Sequence, residues 1–156
     1  MTHRPPVLAL LGLSLALAAA AAGCGRKGPL TLPQGRAPMA VERLAAVPED
    51  GGARLTWTNP ERTVAGKPLG PVAAVEVYVF EKDPPAAGAT LTAEAVERAS
   101  RLAARLDAAA AAAASFAYVP GPAGAKGLAF TVRVRDRKGR ASAFSPVAVL
   151  AGREGA

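Results

Sequence analysis

Apolar and polar positions alternate with a period of two in several short runs, each bounded by proline, glycine or asparagine. In Arg54-Leu55-Thr56-Trp57-Thr58 the alternation puts Leu55 and Trp57 on one face before Asn59-Pro60 breaks the run. Val75, Val77 and Val79 line one face of a further strand, with Glu76, Tyr78 and Phe80 pointing the other way. Phe130, Val132 and Val134 alternate with Thr131, Arg133 and Arg135, and the hairpin Asp136-Arg137-Lys138-Gly139 leads into a final strand over 144–150. Val41 and Leu44 belong to a first, proline-bounded strand. Short strands separated by turn residues predict an all-β antiparallel sandwich.

One segment breaks the period. From 92 to about 114 the apolar residues Val96, Ala99, Leu102, Ala103 and Leu106 recur at helical spacing, Thr92 stands where an N-cap belongs, and Glu94 and Glu97 sit near the positive end. Arg98, Arg101 and Arg105 fall on the solvent side of that helix. The spacing therefore predicts one inserted helix over about 92–114, lying on an outer sheet face against Tyr78 and Phe80. Its alanine-rich end is equally a low-complexity expansion.

Ahead of the strands the pattern is different. Residues 7–22 are a 16-residue run of Leu, Ala, Val, Gly and one Ser, preceded by Arg4 and ending at Gly23-Cys24. A spanning helix needs roughly 20 apolar residues, so the run suits a signal helix that is cut off. Ala21-Ala22-Gly23-Cys24 resembles the lipobox of bacterial lipoproteins, with Ala21 where that family usually has Leu. The resemblance implies cleavage between Gly23 and Cys24, a covalent lipid on Cys24 and a cell-envelope location. Gly25 follows the cysteine instead of Asp, which by the same resemblance favours an outer membrane facing the periplasm. An ordinary secretory signal with a coincidental cysteine is the alternative. Residues 25–39 hold three prolines and three glycines without any period and read as a tether. Extended from 25 to 38 at ~3.1 Å per residue it would reach roughly 45 Å. Arg26 and Lys27 fall at the membrane surface, where each basic residue contributes about 1 kcal/mol against anionic headgroups.

Two further resemblances rest on short runs of residues. Cys24-Gly25-Arg26-Lys27-Gly28-Pro29-Leu30 is similar to the opening of small outer-membrane lipoproteins, one of which assists assembly of the lipopolysaccharide translocon. Leu55-x-Trp57 followed by Pro60, with Phe130-x-Val132-x-Val134 and then Gly139, Ser142, Ser145 and Val147, resembles a fibronectin type III domain. That family has two packed antiparallel sheets of the immunoglobulin-like kind and needs no disulfide. It often has Tyr where Phe130 stands, and Phe lacks the hydroxyl. The implied organisation is a signal peptide over 1–23, a lipidated cysteine and linker over 24–38, a fibronectin type III-like domain over 39–151 and a tail over 152–156.

Composition narrows the chemistry. The chain has 156 residues, one cysteine, one histidine and a formal charge of +7. Cleavage would remove His3 and acylation would consume Cys24, so the usual general base, the commonest metal ligand and the thiolate nucleophile go together. No catalytic residue, metal or cofactor beyond the lipid is expected, and the chain is expected not to be an enzyme. Glu49-Asp50 beside Gly51-Gly52 reads as a turn, and Glu81 and Asp83 flank a proline loop. The segment 121–127 has glycines and Lys126 but not the spacing of a phosphate-binding loop. Arg133, Arg135, Arg137, Lys138 and Arg140 form the densest basic cluster, expected on one edge as a contact for lipid phosphates or an acidic protein. A solvated hairpin protected from unwanted pairing is the plainer account of the same residues. Trp57 is expected in the core. The expected partners are the membrane, through the lipid, and an envelope protein; nucleic acid and small-molecule substrates are not expected. Three functions fit: a lipid-anchored binding or spacer module, an assembly factor acting through its N-terminal peptide, and a carbohydrate-binding accessory using exposed aromatics.

Overall fold

The computed structural model describes residues 33–121 and 127–150. The signal peptide, the cleavage point at Gly23-Cys24, most of the tether, residues 122–126 and the C-terminal tail lie outside the described residues. Two antiparallel sheets make the fold all-β. β1 (Ala45–Glu49), β2 (Gly52–Thr56) and β5 (Ser115–Tyr118) form one sheet in the order β1-β2-β5. β4 (Arg101–Leu106), β3 (Ala74–Phe80), β6 (Ala129–Arg135) and β7 (Ala148–Val149) form the other in the order β4-β3-β6-β7. Two short helices, α1 (Ala93–Ala99) and α2 (Ala108–Ala112), flank β4.

The alternating runs pack as their period dictates. Leu55 and Trp57 from the first sheet meet Val75, Val77, Val79, Phe130, Val132 and Val134 from the second in one core. Trp57 donates its indole N–H to Asn59 Oδ1 at 2.9 Å, and Asn59 Nδ2 donates to the Ala111 carbonyl at 2.8 Å, so the buried ring keeps its polar edge satisfied. The opposite face of β3 is also covered: Tyr78 and Phe80 cluster with Val96, Ala129, Phe144 and Val147. Both faces of β3 are therefore buried, although its sequence alternates like a strand with one wet face. At the β1–β2 turn, Gly51 adopts φ 75°, and a Cβ on Gly52 would stand 2.0 Å from the Tyr118 carbonyl oxygen. Pro48 lies on the open side of edge strand β1, one place from the turn pair Glu49–Gly52, where a missing N–H costs no ladder bond.

The single helix expected over 92–114 is not formed. Thr92 caps α1 as anticipated, accepting from the Ala95 N–H, but Ser100 ends the helix after seven residues. Residues 101–106 then pair with β3, from Val79↔Arg101 to Val75↔Leu106, with a bulge opposite Val77 and Tyr78. Asp107 opens α2 by accepting from the Ala110 N–H. Alanine and leucine favour helix in isolation, but β3 has an open edge, and its ladder outweighs a preference of a few tenths of a kcal/mol per residue. Val96 still packs in one buried cluster with Tyr78 and Phe80, so the expected covering of that sheet face is made by the short helix that does form. Leu102, placed on the core side by helical spacing, is instead 45% exposed.

Two strand boundaries move as well. Val41 and Leu44 precede β1, although Val41 is fully buried. The final strand shrinks from 144–150 to Ala148–Val149. Over the lost part serine hydroxyls stand in for ladder groups: Ser145 Oγ accepts the Val132 N–H at 3.1 Å and Ser142 Oγ the Val134 N–H at 3.0 Å. The domain also starts earlier than Met39. Residues 33–38, read as tether, run as a turn (Pro33–Arg36) and a strap in which the Gly35 and Ala37 carbonyls accept the Ala65 and Val64 N–H groups at 2.9 Å each. Pro38 bridges Thr63.

Candidate functional site

The β6–β7 hairpin builds the site from its turn outward. Asp136 is 7% exposed and acts as the hub: its Oδ1 accepts the backbone N–H groups of Lys138 and Arg140 at 2.9 Å each, and its Oδ2 accepts Arg140 Nε at 2.6 Å. Burial works to raise this carboxyl, but the Arg140 guanidinium and the two backbone donors outweigh it and hold it below its usual range. Gly139 donates to the Asp136 carbonyl at 2.9 Å and takes φ 76°, closing a turn whose two central residues are Arg137 and Lys138. Both side chains are exposed, and neither has a carboxylate partner among the described residues.

Those two cations stand over a cleft of about 230 Å³ between the hairpin and the loop before β3, lined also by Thr63, Pro68, Leu69, Gly70 and Pro71. Lys67 adjoins it, donating its backbone N–H to Thr63 Oγ1 at 3.2 Å. Asp136 and Arg140 line the cleft too but are paired with each other, so its net charge comes from Arg137 and Lys138. Such an arrangement attracts an anion without committing to its shape.

The other two members of the sequence cluster are engaged elsewhere. Arg133 and Arg135 project from β6 onto the outer sheet face, where both bond Glu76: Arg133 Nε to Oε2 at 2.5 Å and Arg135 Nε to Oε1 at 2.8 Å. Arg105 approaches the same carboxylate at 3.8 Å. Arg133 also donates to the Tyr78 hydroxyl at 3.1 Å and lies 4.9 Å above the Phe144 ring. Burial opposes ionisation of Glu76, yet the hydrogen bonds from Arg135 and Arg133 prevail and keep it below the usual glutamate range. The five basic residues thus do not share one edge. β6 is an inner strand, so Arg133 and Arg135 serve the fold and Arg140 serves the turn, while Arg137 and Lys138 are exposed.

Sequence reasoning missed Glu76, Asp136 and the Thr63–Pro71 wall as parts of these groupings. Asp136 carried a local signal, since Asp three residues before Gly in a hairpin commonly accepts turn N–H groups. The wall carried none. A second cleft, of about 290 Å³, lies between residues 39–43 and 58–62, and Glu42 and Glu61 offset Arg43 and Arg62 there. On the far side, Arg101 bonds Glu81 at 2.6 Å and the Tyr118 hydroxyl donates to the same carboxylate oxygen at 2.9 Å, tying β4 and β5 to the segment after β3. Six of the seven aromatic residues are buried and Phe116 is half-buried, so no exposed aromatic platform exists for stacking on a sugar. Among the described residues no group of three metal-ligating side chains occurs, and no helix is long and apolar enough to cross a membrane.

No protein-family model matches the chain, and no curated protein does. Among solved structures it is similar to the pectate lyase Pel3 from Pectobacterium carotovorum, at 14% identity and a TM-score of 0.46, over 75% of this chain. The chain spans 28% of that lyase chain. The expectation that the chain is not an enzyme is withdrawn, since the similar structure is that of an enzyme, but the likeness does not make this chain one. At this level of likeness no lyase residue or substrate carries over.

Proposed function

We propose that the chain is a cell-envelope lipoprotein, anchored by lipid on Cys24, whose domain is a fibronectin type III-like binding module for an anionic partner. The three-plus-four division of strands, in the orders β1-β2-β5 and β4-β3-β6-β7, supports the fibronectin-like reading. The observation that carries the binding reading is the pair Arg137 and Lys138, which line a cleft in a turn held by a buried Asp136 and are left without carboxylate partners among the described residues.

Intact mass of the mature N-terminus tests the anchor: a chain beginning at acylated Cys24 is expected, and one beginning at Met1 sinks it. Titration with inorganic polyphosphate, followed by amide chemical shifts, tests the cleft. Saturable shifts at Thr63, Gly70, Arg137 and Lys138 are expected, with none at Asp50 and Gly51. Absence of shifts, or equal shifts at both places, removes the binding reading.

The opening peptide over 24–30 favours a second reading, an accessory factor in outer-membrane or lipopolysaccharide-translocon assembly. Deleting the domain while keeping those seven residues leaves assembly activity intact only under this second reading.

A further inference from the structure

The strand registers define two poles of the domain. At one, Thr56 faces Ser115, Ala74 faces Arg135, and α2 joins the end of β4 to the start of β5. At the other lie the Asp50-Gly51 turn and the pair Phe80↔Ala129. The cationic cleft is at the first pole, because its walls are the residues that follow β6 and precede β3. The strap of residues 33–38 is at that pole too. It hydrogen-bonds residues 64 and 65, and Pro38 bridges Thr63, itself a wall of the cleft. The place where the domain joins the preceding chain is thus also where most of the cations without a carboxylate partner among the described residues gather, Lys82 at the far pole being the exception. Arg36, Lys67, Arg137 and Lys138 are all exposed there, with Asp107 as an opposing exposed charge, whereas the far turn carries Asp50.

We infer that this pole is a membrane-docking surface, on which Lys67, Arg137 and Lys138 take the phosphates of anionic lipid headgroups in the bilayer that holds the chain. The inference rests on the anchor at Cys24 proposed above and adds an orientation to it. The bonded strap shortens the span between anchor and domain. Nine residue steps separate Cys24 from Pro33, at most ~3.5 Å each, or roughly 30 Å, against the roughly 45 Å of a tether running to residue 38. Covalent attachment within that reach lets the cleft pole come down to the surface, where the cations act within the ~8 Å over which charge is felt at physiological salt. An anion site at the far pole would gain nothing from the anchor. Charge balance in the neighbouring cleft, where Glu42 and Glu61 offset Arg43 and Arg62, confines the positive rim to the hairpin side.

The test uses the full acylated protein in vesicles of phosphatidylcholine alone or with phosphatidylglycerol, and a fluorophore on a thiol introduced by Val64→Cys at the near pole or Asp50→Cys at the far one. The acylated Cys24 does not compete for the label. A headgroup-borne nitroxide quencher is expected to quench the label at 64 more than that at 50, by a margin that widens when phosphatidylglycerol is present. Arg137→Ala/Lys138→Ala is expected to lower the docked-to-free ratio roughly thirtyfold. Equal quenching at the two positions, stronger quenching at 50, no dependence on phosphatidylglycerol, or an unchanged double variant overturns the docking. An unacylated Cys24, read by mass and not by quenching, overturns the anchor and the docking with it, so the two failures are told apart.

Discussion

Arg133 donates its Nε–H to Glu76 Oε2 at 2.5 Å across β6 and β3, and the carboxylate side chain it meets is only 5% exposed. The residues sit in register, Glu76↔Arg133, so the sheet itself delivers the pair. A carboxylate this enclosed is tolerated because Arg135 bonds its second oxygen and Arg105 stands beyond.

Glu76→Gln is therefore expected to destabilise the domain by about 3 kcal/mol at neutral pH, since two guanidinium groups lose a buried countercharge. The folded carboxyl ionises below its ordinary value, so its stabilisation is complete above the ordinary glutamate pKa of about 4.3 and is lost as pH falls through the lowered value. Urea unfolding of the wild type and the variant at pH 7 and at about pH 2 reads this: the gap between them narrows in acid. A constant gap contradicts it.

Ser145→Ala leaves the Val132 N–H without its acceptor and takes a partner from Thr131 Oγ1, 3.2 Å away. Both groups are buried, and the expected cost is about 2 kcal/mol. Hydrogen exchange at the Val132 amide is expected to rise in this variant, because no β-ladder bond replaces the hydroxyl.

Gly52→Ala and Gly51→Ala separate close approach from backbone conformation. The first drives a methyl into the Tyr118 carbonyl at 2.0 Å and forces β2 away from β5, at about 3 kcal/mol. The second meets open space and costs only the φ 75° strain, about 1 kcal/mol. Thermal denaturation of the two variants is expected to rank them in that order.

Within the basic hairpin, stability and binding are expected to part. Arg137→Ala and Lys138→Ala change unfolding free energy by less than about 0.5 kcal/mol, because neither side chain is bonded to a carboxylate among the described residues. Arg140→Ala costs about 2 kcal/mol, because it leaves the enclosed Asp136 carboxylate without its guanidinium. Polyphosphate affinity is expected to fall for the first two. Chemical denaturation alongside the titration distinguishes the roles.

The period-two runs that fill the core were legible residue by residue. Leu55 and Trp57, the three valines of β3 and the Phe130, Val132 and Val134 face all turn inward, because one buried face imposes its period on the sequence. The basic residues were legible as a cluster but not as separate jobs. Whether an arginine is free or spent depends on Glu76, 57 residues from Arg133 in the chain, and no local pattern carries that distance.

By itself, the order of apolar and polar residues settled that the chain is built from short antiparallel strands, where its core strands run and that Thr92 begins a helix, since each follows from local period or local hydrogen bonding. Tertiary structure decided the rest. Residues 101–106 carry helix-favouring alanines and leucine, yet they form a strand because β3 offers an unpaired edge at the right distance. Residues 33–38 look like free linker, yet they are bonded down because the loop at 62–65 presents N–H groups to them. Both outcomes depend on backbone partners supplied from elsewhere in the fold, and a backbone partner leaves no mark in the side-chain pattern of the segment that finds it.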